Sequence, residues 1–173
     1  MSSGFATFTD EHEAFRLTVR KWVEREIKPH VEKWEEAEEF PRELFAKAAE
    51  LGLFGLKYEE KYGGSNGGFF FEAVVIEELA KCGSGGVSAG LVGQATIATG
   101  PIHLFGTHEQ KEEFLTRAIR GEWIGAFGVT EPDAGGDVAG LRTIARREGD
   151  SWVLHGSKTY ITNGLRADYV IVA

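Results

Sequence analysis

The sequence predicts an α+β chain, with an all-α helical N-terminal domain over residues 1–122 and the first strands of a β domain over residues 123–173. Three observations carry this. Apolar residues recur at helical spacing through the first two thirds. At Trp123 that period gives way to short extended runs separated by turn residues. The last segment, Asp168-Tyr-Val-Ile-Val-Ala173, reads as a strand.

Taken in order, Phe15, Val19, Trp22, Val23 and Ile27 mark one face of a first helix. Thr9 suits its N-cap, Asp10 and Glu11 suit the positive end of its dipole, and Pro29 ends or bends it. A short amphipathic piece with Val31 and Trp34 follows. Pro41 suits the first position of the next helix, Leu44, Phe45, Ala48 and Leu51 its buried face, and Gly52 the position after its end. Tyr62-Gly-Gly-Ser-Asn-Gly-Gly68 is a loop by composition. The helix from Phe69 to Lys81 is apolar nearly all round, which predicts deep burial. Gly83-Ser-Gly-Gly86 reads as a helix–helix turn, and Val87 to Thr99 as a helix of unusually small residues. Thr107-His-Glu-Gln110 is a capping box ahead of the face Phe114, Leu115, Ala118 and Ile119, with Gly121 as the stop. Trp123–Thr130, Leu141–Arg147 and Trp152–Thr162 are extended, the last two joined by a hairpin turn at Glu148-Gly-Asp-Ser151.

Composition excludes several classes. Of 173 residues, 42% are hydrophobic and 27% charged, enough for a sizeable core. The 19 Lys and Arg against 27 Asp and Glu leave a net charge of −8, which disfavours nucleic acid as a partner. A lone cysteine, Cys82, rules out an internal disulfide and reads as a small buried hydrophobe. No apolar run reaches the roughly 18 residues that span a bilayer. Met1–Phe8 lacks the features of a signal or transit peptide, so a soluble, cytoplasmic protein is expected. A terminal apolar strand leaves an unpaired edge. The chain is therefore expected to be the front part of a longer protein, and on its own to aggregate or mispair.

The five histidines lack the spacing of a metal site, so no metal is expected. No Ser-His-Asp arrangement is supported, and Gly83–Gly86 follows a helix, not the strand a dinucleotide fingerprint requires. The informative segment is Phe127-Gly-Val-Thr-Glu-Pro-Asp-Ala-Gly-Gly-Asp-Val-Ala-Gly140, a strand running into a loop dense in Gly and acidic residues. Read alone it is either a connector or a binding loop, with Glu131 and Asp137 making local side-chain to backbone bonds.

This segment resembles the first signature of the acyl-CoA dehydrogenase family, with Gly128, Val129, Thr130, Glu131, Ala134, Gly135, Asp137 and Gly140 matching. A second family-like segment, Gly156-Ser-Lys-Thr-Tyr-Ile-Thr-Asn-Gly164, follows at the right distance. Leu51–Leu56, Lys61–Gly64 and Gly106–Lys111 extend the likeness over the helical part. Gly136 departs from the pattern, standing where the family usually has Ser or Thr.

The resemblance implies an FAD-dependent enzyme that desaturates fatty acyl-CoA thioesters. It places Phe127, Val129, Thr130, Gly135, Gly136, Tyr160, Ile161 and Thr162 at the flavin. Backbone N–H groups near Val129 and Thr130 would serve the pyrimidine edge, Tyr160 would lie against the ring, and Thr162 would put a hydroxyl near the hydride-accepting nitrogen. Core packing for Tyr160 and a strand-surface place for Thr162 are the alternatives. Gly136, Gly93 and Gly90 are expected toward acyl-CoA, the two latter leaving room for a medium to long acyl tail; close helix packing is their other reading. In most of the family the base is a Glu in a C-terminal domain, so no catalytic residue is expected here and these residues alone should be inactive. A homotetramer or dimer passing electrons to an electron-transferring flavoprotein is implied for the complete enzyme. The competing expectations are an acyl-CoA oxidase or flavin monooxygenase of the same architecture, and a non-catalytic helical interaction module.

Overall fold

The computed structural model describes residues 8–173; the leader reading of Met1–Phe8 falls almost wholly outside them. Among the described residues, eight α-helical segments precede four short strands. Helix α1 (Asp10–Glu26) begins at Thr9, whose hydroxyl accepts from the His12 N–H while the His12 ring accepts from the Thr9 N–H. It ends before a single 3₁₀ turn, Lys28–His30, that contains Pro29. Helices α2 (Val31–Glu36) and α3 (Glu43–Glu50) follow. Pro41 is not the first residue of α3. Pro41 and Arg42 form an approach turn whose carbonyls accept from the Leu44 and Phe45 N–H groups. Gly52 and Gly121 carry φ of +74° and +68° where stops were expected, a region open to glycine at little cost.

Helix α4 (Phe69–Leu79) packs along α1. Its even apolarity overstates its burial: Val74, Val75 and Leu79 are buried, whereas Phe69 is 69% exposed and Ile76 also faces outward. The inward face carries a charge instead. Glu78, 1% exposed, accepts from Arg20 Nε (2.9 Å), Arg20 Nη2 (3.0 Å), Arg16 Nη1 (3.3 Å) and Lys81 Nζ (2.6 Å). These bonds hold its carboxyl at about 2, led by Arg20 and opposed by desolvation.

Ser84 caps α5 (Gly85–Val92), its Oγ accepting from the Val87 N–H at 3.0 Å and donating to the Glu35 carboxylate. Cys82 is buried beside it. The expected single helix over Val87–Thr99 is interrupted. Gly93–Ala98 is π-helical, with one extra residue in the turn. The Thr99 hydroxyl, itself paired with Tyr58 Oη at 2.6 Å, bonds the Gln94 and Ala95 carbonyls at 3.1 and 3.0 Å. A polar cluster of Thr99 and Tyr58 thus adds side-chain donors to two carbonyls of this turn. Helices α6 (Gly100–Phe105), α7 (His108–Gln110) and α8 (Thr116–Ile119) follow, with a second π-helical turn, Lys111–Leu115, between the last two. The Thr107–Gln110 capping box is formed in both directions.

The main core joins Val19, Trp22, Ile27, Phe45, Phe54, Leu79 and Leu91 to Ile124, just ahead of β1. Strand β1 (Gly125–Gly128) pairs in parallel with β4 (Tyr169–Val172), and β2 (Ile144–Glu148) pairs antiparallel with β3 (Ser151–His155) through the expected turn. The two pairs are separate. The hairpin is exposed along its whole length, with Trp152 at 67% and Leu154 at 59%. The extended reading of Trp152–Thr162 holds only to His155; beyond it the chain is a loop that returns to β1.

Candidate functional site

The register of β1 decides which of its backbone groups are free. In a parallel pair the N–H groups of alternate residues point to the same neighbour. With Gly128 opposite Val172 and the Ala173 N–H donating to the Gly128 carbonyl, Ala126 and Gly128 face β4. Gly125, Phe127 and Val129 then turn their N–H groups to the other edge. Gln94 Oε1 accepts from Gly125 at 2.7 Å. The Phe127 and Val129 N–H groups meet no acceptor among the described residues, and neither does that of Thr130. This edge borders a cleft of about 390 Å³. Its opposite wall is Gly93, Ile97 and Ala98 of the π-helical turn, and its mouth is the loop from Tyr160 to Asn163. No carboxylate is among its lining residues.

Buried polar contacts hold the far end of this edge. Glu131, 6% exposed, accepts from the Arg142 N–H (2.7 Å), the Thr143 N–H (2.8 Å) and Lys158 Nζ (2.8 Å). Lys158 also donates to the Val129 carbonyl at 2.9 Å, and the Thr159 N–H donates to that of Thr130 at 2.9 Å. The Lys158 ammonium above all keeps the Glu131 carboxyl at about 2. The expected local bonding is corrected here: Glu131 reaches 11 to 27 residues along the chain and ties the two motif segments together. Asp137 is exposed, and its carboxylate accepts no hydrogen bond among the described residues.

The second motif segment supplies the mouth. Tyr160 has φ +57° and is 93% exposed, so it is no packed strand aromatic. A bulky residue in the left-handed region is a genuine outlier, and such strain collects at ligand sites. Asn163, at φ +64°, donates through Nδ2 to the Gly90 carbonyl at 2.9 Å and anchors the loop to α5.

The fold therefore brings Phe127, Val129, Thr130, Tyr160, Ile161, Thr162 and Gly93 around one cleft. Gly135 and Gly136 are exposed, face open space and stand outside its lining. Gly90 is also outside it. A Cβ there would come within 2.8 Å of the Phe40 ring, so its smallness already serves close packing. Sequence reasoning passed over Gln94, Lys158 and Asn163. Gln94 is the one amide in the small apolar run Val87–Thr99, a signal that was available. The partners of Lys158 and Asn163 are set only by the fold. Free N–H donors on a strand edge, two threonine hydroxyls and an exposed aromatic ring suit a flat heterocycle with acceptors along one side. Among the described residues no cluster of His, Cys, Asp or Glu could hold a metal ion, and no helix is long and apolar enough to cross a membrane.

A helical layer, a cofactor-type cleft at its junction with β1 and two motif segments tied by one ion pair define a class, and the comparisons agree with it. Residues 9–122 match the acyl-CoA dehydrogenase N-terminal domain and residues 126–173 the middle domain of the same family. The chain belongs to the acyl-CoA dehydrogenase family. It is 44% identical over 165 residues to the long-chain specific acyl-CoA dehydrogenase, mitochondrial, of Rattus norvegicus, covering 95% of this chain and 38% of that protein. An acyl-CoA dehydrogenase from Geobacillus kaustophilus superimposes with a TM-score of 0.92 at 40% identity, over 98% of this chain and 44% of that one. One from Bacillus anthracis, solved in complex with FAD, gives 0.89 at 34% identity, over 95% and 28%. The chain thus spans less than half the length of these relatives.

Proposed function

We propose that this chain, a helical unit over 1–122 and a β part over 123–173, is the flavin-side portion of an FAD-dependent acyl-CoA dehydrogenase acting on medium to long acyl chains. The observation that carries the reading is the unpartnered N–H edge of β1 at the cleft. When bound, FAD supplies a two-electron acceptor for a hydride from the acyl β-carbon. The Val129 and Thr130 N–H groups and the Thr130 hydroxyl would donate to the acceptors of its pyrimidine edge. Donors fixed in advance stabilise negative charge that develops on reduction. Tyr160 would cover the ring face and Thr162 would offer a hydroxyl at the mouth. Gly135 and Gly136 would let phosphate or pantetheine groups approach their exposed N–H groups.

Gly93 leaves space in the wall opposite β1, where a Cβ would meet only Thr162 Cγ2, at 3.6 Å. In this reading the base that takes the α-proton is not among these residues. The reading extends to a homo-oligomer in the cytoplasm, with an electron-transferring flavoprotein as acceptor. The test is expression from the complete reading frame. The reading expects a yellow protein that bleaches when octanoyl- or palmitoyl-CoA is added without oxygen, and no turnover by the 173 residues alone. A colourless protein, or a flavin that neither thioester bleaches, overturns it.

A further inference from the structure

Gln94 is fully buried, and both its amide donors and its carbonyl oxygen serve the junction between the two walls of the cleft. Its Nε2 donates to the Ala118 carbonyl at 3.1 Å and the Trp123 carbonyl at 2.8 Å, while Oε1 accepts from the Gly125 N–H at 2.7 Å. It therefore grips the end of α8, the segment entering β1 and the first N–H of the strand's free edge. It does so from the π-helical turn that forms the facing wall. Its neighbour Gly93 lines the cleft, as do Ile97 and Ala98 further along the same turn. The walls are close: a Cβ on Gly125 would lie 2.9 Å from Ala98 Cβ. The extra residue of a π-turn changes where side chains point relative to a regular helix, and such turns recur at functional sites.

We infer that Gln94 is a positioning residue for the cofactor edge. It occupies the first of three N–H groups along the free edge of β1 and leaves the next two, at Phe127 and Val129, to the ligand. By tying that edge to the π-turn it fixes the spacing between donors and facing wall. The side chain does not line the cleft. Its effect passes through Gly125 and the strand. Donors held in place before binding need no reorganisation when the ligand arrives. This rests on the FAD reading above.

The test uses protein from the complete reading frame, unsubstituted and with Gln94→Met or Gln94→Glu. Met keeps the length of the side chain but leaves the Gly125 N–H and the Trp123 carbonyl unpaired, while the Ala118 carbonyl keeps only its bond from the Gly121 N–H at 3.1 Å. Glu keeps an acceptor for Gly125. FAD affinity after removal and re-addition of the cofactor, and the visible absorption of the bound flavin, are compared. A tenfold or greater loss of affinity in Gln94→Met is expected, with its absorption bands moved toward those of free FAD and Gln94→Glu between the two. The band positions report the flavin environment and do not depend on the fraction folded. Hydrogen exchange of the cofactor-free protein is expected to show the Gly125 amide protected like core helical amides. Unchanged affinity and spectrum in Gln94→Met overturn the inference, as does a Gly125 amide that exchanges like an unprotected peptide, which decides the matter even where Gln94→Met does not fold. Unsubstituted protein that takes up no FAD overturns the cofactor reading and this inference together; the other two results overturn this inference alone.

Discussion

Replacing Glu78 with Gln tests how α1 and α4 are held together. The Glu78 carboxylate takes two bonds from Arg20, one from Arg16 and one from Lys81, and only 1% of the residue reaches solvent. Gln keeps the volume but not the charge, and turns an NH₂ group toward cationic donors. Removing one partner of a buried ion pair costs roughly 3–5 kcal/mol. The low end applies, since Arg20 and Lys81 side chains are 42% and 54% exposed and rehydrate, while Arg16 keeps Glu13 and Glu77. About 3 kcal/mol is a large part of the roughly 5–15 kcal/mol that holds a domain folded. With a urea slope of about 2 kcal/mol/M, the unfolding midpoint at pH 7 should fall by about 1.5 M. The pH dependence gives a second check. The Glu78 carboxyl titrates near 4.5 when unfolded and about 2 when folded. Its stabilisation is full above about pH 4.5 and is lost as pH falls toward 2. The gap between the two proteins should therefore close over that window. A gap under about 1 kcal/mol at pH 7, or one that stays constant down to pH 2, refutes the reasoning.

Gly64→Ala should cost about 3 kcal/mol or more in thermal unfolding, because its Cβ would sit 2.1 Å from the Tyr58 carbonyl oxygen, a backbone atom with nowhere to move. Ser84→Ala removes the α5 cap and the partner of Glu35, and should cost about 1 kcal/mol by urea titration. Lys158→Met removes the largest influence on Glu131; its carboxyl, now at about 2, should titrate measurably higher by carbon-13 NMR, and an unmoved titration would contradict the ion pair.

Local chemistry made much of the helical part legible. Thr9 and Thr107 cap because a hydroxyl at that position meets a free N–H of the first turn, wherever the helix later packs. Gly52 and Gly121 stop helices because a left-handed residue is needed there. The two motif segments could be read as one site because their residue types recur together in a family. Periodicity misjudged α4, whose outward Phe69 and Ile76 are as apolar as its buried face while the charge lies inside with Glu78. The π-turn was also hidden; the Thr99 hydroxyl at its end pairs with Tyr58, some 40 residues earlier, a contact that no local pattern shows.

The sequence by itself determined the caps at Thr9 and Thr107, the stops at Gly52 and Gly121, the change of period at Trp123, the hairpin turn and the two motif segments that meet at the cleft. These depend on residues a few positions apart, or on short patterns that keep their meaning in any setting. Tertiary structure alone decided which N–H groups of β1 stay free, because that follows from the register against β4 more than 40 residues away. It also decided that Gly90 packs against Phe40 while Gly93 opens into the cleft, though the two are three residues apart and identical. The difference lies in what the fold places opposite each, and no local property of a glycine carries that information.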